Sequence, residues 1–100
     1  DVRLTNDGAI SEYPSMALEF QTLHLVWNDS RNGNHEIYYK RSINGGLSWT
    51  ADTRITNNAG DSYKPSVAVS DTLVHVLWED LRNSTSEIFY KTFLQKIRFQ

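Results

Sequence analysis

The chain repeats itself once, without a gap, at a spacing of 51 residues, and this repeat is its most informative feature. Five segments of the first half return in the second half: 3–6 at 54–57, 14–18 at 65–69, 23–27 at 74–78, 29–32 at 80–83, and 36–40 at 87–91. A period of about 50 residues is typical of propellers and related arrays, in which each unit buries its apolar face against the next. The repeat therefore predicts an architecture. The activity stays open, because one fold serves many functions.

The sequence pattern of each repeat predicts three short strands, and it indicates a fourth strand less clearly. Three pairs of equivalent segments have strand patterns: 14–20 with 65–69, 23–27 with 74–78, and 36–41 with 87–92. The middle pair is apolar on both sides, as in strands that are packed on both faces. No helical period persists, and short strands with frequent turn signals indicate a sandwich, a barrel or a propeller. The gapless repeat favours the propeller.

The segment between the repeats, Ser42-Ile43-Asn44-Gly45-Gly46-Leu47-Ser48-Trp49, carries the most specific motif. It resembles the Asp-box of the sialidase (neuraminidase) superfamily, a Ser-x-Asp-x-Gly-x-x-Trp turn between the third and fourth strands of a propeller blade. In such a turn a short polar side chain bonds the backbone, glycine permits positive φ, and the Trp packs into the blade. Residues 36–42 and 49–56 also look like bacterial repeats of this superfamily. Two departures are Asn44, where the motif usually has Asp, and the second repeat, which has no box.

The resemblance implies an all-β fold of two four-stranded antiparallel blades, within a six-bladed propeller assembled from several chains. It also implies a secreted or cell-surface location, although the residues themselves leave the compartment open. The box residues would be structural, with the Trp buried: Ser42, Asn44, Gly46 and Trp49.

The 100 residues are expected to form one two-blade unit, with repeats at about 3–53 and 54–93 and a tail at 94–100. Residues 48–56 would be the fourth strand of the first blade. Residues 1–5 match that strand and have no blade before them. Two blades cannot close, since propellers have about 4 to 8, and open sheet edges invite association.

Residues 1–5 are therefore expected to complete a blade, in a neighbouring chain if the ring is cyclic. Two, three or four chains would give four, six or eight blades, and the six blades of sialidase-like propellers favour a trimer. Two alternatives stay open. The tail could supply its own outer strand, or the chain could be a two-blade excerpt of a longer propeller.

Composition narrows the choice of partners. A net charge of -2 provides no basic surface for nucleic acid or an anionic membrane. The absence of cysteine excludes disulfides and thiolate metal sites, and no apolar run approaches the roughly 20 residues that span a bilayer. No metal ion or cofactor is expected.

The loops that follow the fourth and second strands should open on one face of the propeller, where sialidase-like propellers bind ligand. Polar planar groups beside aromatic rings suit sugar hydroxyls, and arginine suits a carboxylate. The candidate ligand-binding residues on this face are Tyr13, Asp29, Arg31, Asn32, His35, Tyr63, Asp80, Arg82 and Asn83. The repeated Asp and Arg pairs have a competing interpretation, as charged links between neighbouring blades. Packing roles are predicted for His24, His75, Trp27, Trp78, Tyr39 and Tyr90.

Catalysis is not expected. A sialidase would need three arginines around the substrate carboxylate, a Tyr-Glu nucleophile pair and an acid/base Asp, and none can be assigned to a position in this chain. The sequence therefore predicts a non-catalytic module that forms a ring. Two interpretations of this module stay open: a lectin-like module that binds carbohydrate on its loop face, and a structural unit whose only property is assembly. The alternative is a two-blade fragment of a larger sialidase-like glycoside hydrolase.

Overall fold

A computed structural model describes residues 1–95 as two antiparallel β-sheets. The strands are β1 (Ser11–Glu19), β2 (Thr22–Asp29), β3 (Glu36–Ser42), β4 (Thr53–Arg54), β5 (Ser62–Ser70), β6 (Leu73–Asp80) and β7 (Glu87–Leu94). The first sheet has the order β1-β2-β3-β4, and the second has the order β5-β6-β7. The all-β prediction is confirmed. The described residues contain no helix, and so none that is long and apolar enough to cross a membrane.

The two sheets repeat each other in detail. In the first sheet the register of β1 against β2 shifts between Glu12 and Ser15, and in the second the shift lies between Tyr63 and Ser66. The bulge residues Tyr13 and Lys64 take positive φ in both sheets. A one-residue slip would move every side chain to the opposite face, so matching bulges keep equivalent residues on equivalent faces.

Each sheet has two faces, which we name after residues of its middle strand. The Trp face carries Trp27 in the first sheet and Trp78 in the second, and the His face carries His24 and His75. The sheets stack with the His face of the first sheet on the Trp face of the second. The buried core between them consists of Val26, Ile37, Tyr39, Ile55, Val67, Val74, Val76 and Trp78.

The Trp face of the first sheet has a smaller cluster of its own. Leu25, Trp27 and Tyr38 are buried there, and Leu4 and Trp49 pack against them. The segment before β1 and the turn after β3 therefore cover part of this face.

The second sheet has three strands among residues 1–95, and no described segment pairs with the outer edge of β7. Residues 1–5 form no strand within the single chain, and their pairing with another chain stays a prediction. Two predictions need correction. The predicted fourth strand at 48–56 is only Thr53–Arg54. Tyr90 is exposed rather than in the core, because it lies on the His face of the second sheet, which no other segment of residues 1–95 covers. Most of the predicted tail strand, residues 96–100, lies outside the described residues.

Candidate functional site

Asp29, at the end of β2, is a fully buried carboxylate with several donors. It accepts hydrogen bonds from Ser11 Oγ at 2.8 Å and Trp27 Nε1 at 2.9 Å. The Arg31 backbone N–H donates at 2.9 Å, and its guanidinium donates at 3.1 and 3.0 Å. Burial raises the pKa of Asp29, but the bonds from Arg31, Trp27 and Ser11 outweigh it and hold the pKa well below its usual range. Asp29 is therefore an ionised carboxylate whose acceptor positions are used inside the protein.

Arg31 binds three carboxylates of the first repeat. Its Nη2 lies 2.6 Å from Asp7, 3.0 Å from Asp29 and 2.8 Å from Asp52. Asp52 also lies 3.2 Å from Lys40 Nζ, so it bridges two cations. The guanidinium carbon is 4.2 Å from the centre of the Tyr38 ring. The sequence suggests a link between repeats, and the structure instead places these ion pairs within one repeat.

The second repeat reproduces half of this arrangement. Asp80 is fully buried and accepts from Trp78 Nε1 at 2.8 Å and from the Arg82 guanidinium at 2.9 and 3.0 Å. Burial raises the pKa of Asp80, and the bonds from Arg82 and Trp78 outweigh it, so the pKa is about 2. Asn58 stands at the position equivalent to Asp7. Asp80 is therefore the only carboxylate of residues 1–95 that pairs with Arg82.

A cleft opens beside Arg82. Its volume is about 580 Å³, and it is lined by Arg54, Ile55, Thr56, Asn57, Trp78, Arg82, Phe89, Tyr90 and Lys91. The guanidinium carbon of Arg82 lies 4.0 Å from the centre of the Phe89 ring. Three cationic side chains line this cleft, so its charge favours an anion.

The aromatic candidates lie where the two sheets meet. The rings of His35 and Tyr63 are 4.9 Å apart between centres, and His35 Nδ1 is 3.1 Å from the Asn28 amide. Tyr13 is half exposed, with Lys64 Nζ 5.4 Å from its ring centre. The structure thus brings His35 together with Tyr63, and it holds each Asp and Arg pair within its own repeat.

The two asparagine candidates are alike in exposure. Asn32 donates from Nδ2 to the Tyr38 hydroxyl beside Arg31, so it belongs to the ionic cluster of the first repeat. Asn32 and Asn83 are both exposed, so solvent reaches both side chains.

Several polar links between the sheets involve residues that the sequence analysis did not select, such as Asn34, Gly60 and Asp61. Asn34 Nδ2 donates to the carbonyls of Asn58 at 3.1 Å and Gly60 at 2.9 Å. The His35 backbone N–H donates to Asp61 at 2.8 Å. A Cβ on Gly60 would lie 2.7 Å from the Arg82 Cα, so only glycine fits there. The signal in the sequence is that Asn34 and Gly60 break the repeat, as Thr85 and Ala9 stand at the equivalent positions.

His24 forms another link between the sheets. It is fully buried, with Nδ1 2.8 Å from the Tyr39 hydroxyl and Nε2 3.0 Å from Gln95 Oε1. Burial lowers its pKa, and the Gln95 hydrogen bond opposes this only in part. A neutral imidazole with a hydrogen bond at each ring nitrogen fits the packing role predicted for His24.

The box turn after β3 is closed by its own side chains. Ser42 Oγ donates to Asn44 Oδ1 at 2.8 Å and accepts from the Gly46 N–H at 2.8 Å. Asn44 Oδ1 also accepts from the Ser48 N–H at 3.0 Å, and Gly46 has a φ of 96°. Trp49 is partly buried, on the Trp face of the first sheet. These hydrogen bonds all join groups of the turn itself, so they stabilise its conformation.

Among residues 1–95, no group of three or more His, Asp or Glu side chains converges as a metal site would. No family model, curated protein or solved structure matches the chain. The function must therefore be argued from the geometry.

Proposed function

We propose that this chain is a non-catalytic assembly module, a pair of propeller-type blades that stacks with further copies of itself into a closed ring. The observation that carries this proposal is that, among residues 1–95, the two sheets use one His face and one Trp face in their interface and pack no other sheet on the equivalent pair. That pair, which we call the open faces, is the Trp face of the first sheet, partly covered by Leu4 and Trp49, and the His face of the second.

On the two His faces, the same positions differ sharply in exposure. Ile37 is 0% exposed, while its repeat equivalent Ile88 is 69% exposed. Tyr39 is 9% exposed and Tyr90 is 54% exposed. The difference arises because the second sheet covers the first, whereas nothing in residues 1–95 covers the second. Large apolar residues that repeat a buried surface are typical of an interaction site.

The open Trp face supports the same conclusion. Val67 is 8% exposed in the interface between the sheets, and its equivalent Met16 is 55% exposed. Leu18, next along this face, is 63% exposed. Within the chain, the Trp face of the second sheet packs on a His face. The Trp face of the first sheet could therefore pack on the His face of a second copy in the same way.

Contacts of this kind are head to tail, so they give a closed ring when the rotation between copies closes and a filament when it does not. Two, three or four chains would supply four, six or eight sheets, within the range of about 4 to 8 blades known for propellers. The likeness of the turn at 42–49 to the Asp-box favours six, and therefore a trimer.

The charged loop residues support a structural role over catalysis. Asp29 and Asp80 accept hydrogen bonds from their neighbouring Trp and Arg residues, and Arg31 is paired with three carboxylates. Groups held in this way keep the loops in place, and a substrate would have to compete with intramolecular partners.

The experiment is a solution mass by light scattering on the full chain, with a matched pair of variants. Leu77, on the open His face, and Leu47, in the box turn, are both exposed leucines. We expect wild type to exceed the mass of one chain, Leu77→Asp to reduce it to one chain, and Leu47→Asp to leave it unchanged. A single-chain mass for wild type would refute the module and favour an excerpt of a larger sialidase-like glycoside hydrolase.

Carbohydrate binding on the loop face is the second candidate, and one observation favours it. Tyr13 is half exposed, and the His35 and Tyr63 rings, 4.9 Å apart between centres, are partly exposed. Aromatic rings beside hydrogen-bonding groups are the chemistry that sugar rings require. A glycan array probed with the assembled protein tests this. Binding that is lost in Tyr13→Ala would support it, and an array without binding would remove it.

A further inference from the structure

The segment that contains β4 makes two sets of contacts. With its own sheet, Thr53 and Arg54 pair with Tyr39 and Tyr38, and the Ile55 N–H donates to the Ile37 carbonyl at 2.8 Å. Towards the second sheet, the Ile55 carbonyl accepts from Lys91 Nζ at 2.6 Å. One segment therefore completes its own sheet and also packs on the Trp face of the next.

Residues 1–5, which are equivalent to 52–56, make only the second set of contacts. Lys40 Nζ donates to the Leu4 carbonyl, as Lys91 does to Ile55, and Leu4 packs on the Trp face of the first sheet. The local conformation is also shared. Arg3 Nε donates to the Thr5 carbonyl at 2.8 Å, just as Arg54 Nε donates to the Thr56 carbonyl at 2.9 Å.

Residues 53–55 pair with β3, the third strand of their sheet, and residues 1–5 make no equivalent strand pairing within residues 1–95. The matching edge is open too, since no described segment pairs with the outer edge of β7. One chain thus presents both halves of a strand pairing that it already makes once internally.

The charges of the cleft fit the same segment. In the first repeat Asp52 bridges Arg31 and Lys40, at 2.8 and 3.2 Å. The equivalents of these two cations are Arg82 and Lys91, which line the cleft, and the equivalent of Asp52 is Asp1. The cleft therefore has the two cations of the bridge, and the N-terminal segment has the carboxylate.

We propose that residues 1–5 of a second copy form the fourth strand of the second sheet, with the Asp1 carboxylate between Arg82 and Lys91. The register follows from the internal pairing, so that Val2 lies opposite Tyr90 and Arg3 opposite Phe89 of the neighbouring copy. This inference rests on the proposed ring, and it names the contact that joins adjacent copies.

A second ion pair follows from the same register. Arg54 Nη2 lies 3.2 Å from Glu36 in the internal pairing. The equivalent partners across the junction are Arg3 and Glu87, which are both exposed within one chain. Because these side chains contribute little to the single chain, charge reversal at either position should act on the junction and spare the fold.

The test is a charge-swap cycle in the full chain, measured by analytical ultracentrifugation. We expect Arg3→Glu and Glu87→Arg each to raise the dissociation constant of the junction by about tenfold or more, because each places like charges face to face. The double variant should recover most of the wild-type affinity. Asp71→Arg, which makes a comparable charge change at the exposed β5–β6 turn, is the control and should leave the affinity unchanged.

Asp1→Asn provides a second readout that does not alter the shape of the side chain. It should weaken the junction several-fold and reduce the salt dependence of assembly between about 50 and 500 mM NaCl, because exposed charge pairs are screened over this range. Assembly that survives all single variants, or a double variant without recovery, would overturn the strand exchange while leaving the ring in place. A wild-type chain that remains monomeric at every concentration would overturn both the strand exchange and the ring.

Discussion

Ile37 and Ile88 provide a comparison within one chain, because they occupy equivalent positions at opposite extremes of burial. Ile→Ala removes three carbon atoms, which corresponds to roughly 2–3 kcal/mol of transfer free energy at a fully buried site. The cavity that remains raises the cost, so we expect Ile37→Ala to lower the free energy of unfolding by about 3–4 kcal/mol. Ile88 is 69% exposed, and by the same reasoning Ile88→Ala should cost about 1 kcal/mol or less in a single chain.

The assay is urea unfolding followed by tryptophan fluorescence, because Trp27 and Trp78 are both buried in the folded chain. At a protein concentration where the chain is monomeric, the unfolding free energies of the two variants should differ by about 2–3 kcal/mol. The dependence of the unfolding free energy on urea concentration should be the same for both. At concentrations where copies assemble, the cost of Ile88→Ala should rise towards that of Ile37→Ala. Equal costs in the single chain, or a cost below about 1 kcal/mol for Ile37→Ala, would refute the proposed stacking of the sheets.

Three further predictions concern stability. Acid should destabilise the chain below about pH 4, because the folded pKa values of Asp29 and Asp80 both lie below their unfolded value of 3.8. The folded pKa of Asp80 is about 2, so its share is up to about 2 kcal/mol, and the acid-induced loss in urea unfolding should be smaller by that amount in Asp80→Asn. Trp49→Ala should cost about 1–3 kcal/mol in urea unfolding, less than for a fully buried Trp, because the side chain is only partly buried. Gly60→Ala should lower the melting temperature by several degrees, because its Cβ would meet the Arg82 backbone at 2.7 Å, and an unchanged melting curve would contradict that contact.

The sequence predicts the middle strand of the first repeat well, because a short, nearly continuous apolar run is typical of a strand that is packed on both faces. Residues 23–27 are apolar on both sides, and in the structure Val26 and Leu25 are indeed buried on opposite faces. The pattern places β1 three residues too late because it takes Pro14 as the start, whereas Pro14 lies at the bulge and the strand begins at Ser11. Proline at a bulge loses no ladder hydrogen bond, so it does not end the strand.

Burial and ion pairing were harder to predict, for physical reasons that particular residues show. Periodicity assigns Tyr90 to the same face as Leu77, but it cannot say whether another sheet covers that face. Two of the three carboxylates that pair with Arg31 belong to Asp7 and Asp52, which lie 24 and 21 residues away in sequence and meet Arg31 only in the folded chain. A repeated Asp and Arg pair looks like a link between repeats, because the sequence does not show which carboxylates the folded chain brings to it.

The proposed ring also has a thermodynamic consequence that separates it from an open stack. A junction between chains must offset about 4–15 kcal/mol of lost translational and rotational freedom, whereas the junction inside one chain is already tethered. An open stack has one junction fewer than its number of chains, and closure adds the last junction without any further association cost. Mixtures should therefore contain single chains and complete rings with few intermediates. The open alternative, a filament, would instead show a continuous distribution of masses that broadens with concentration.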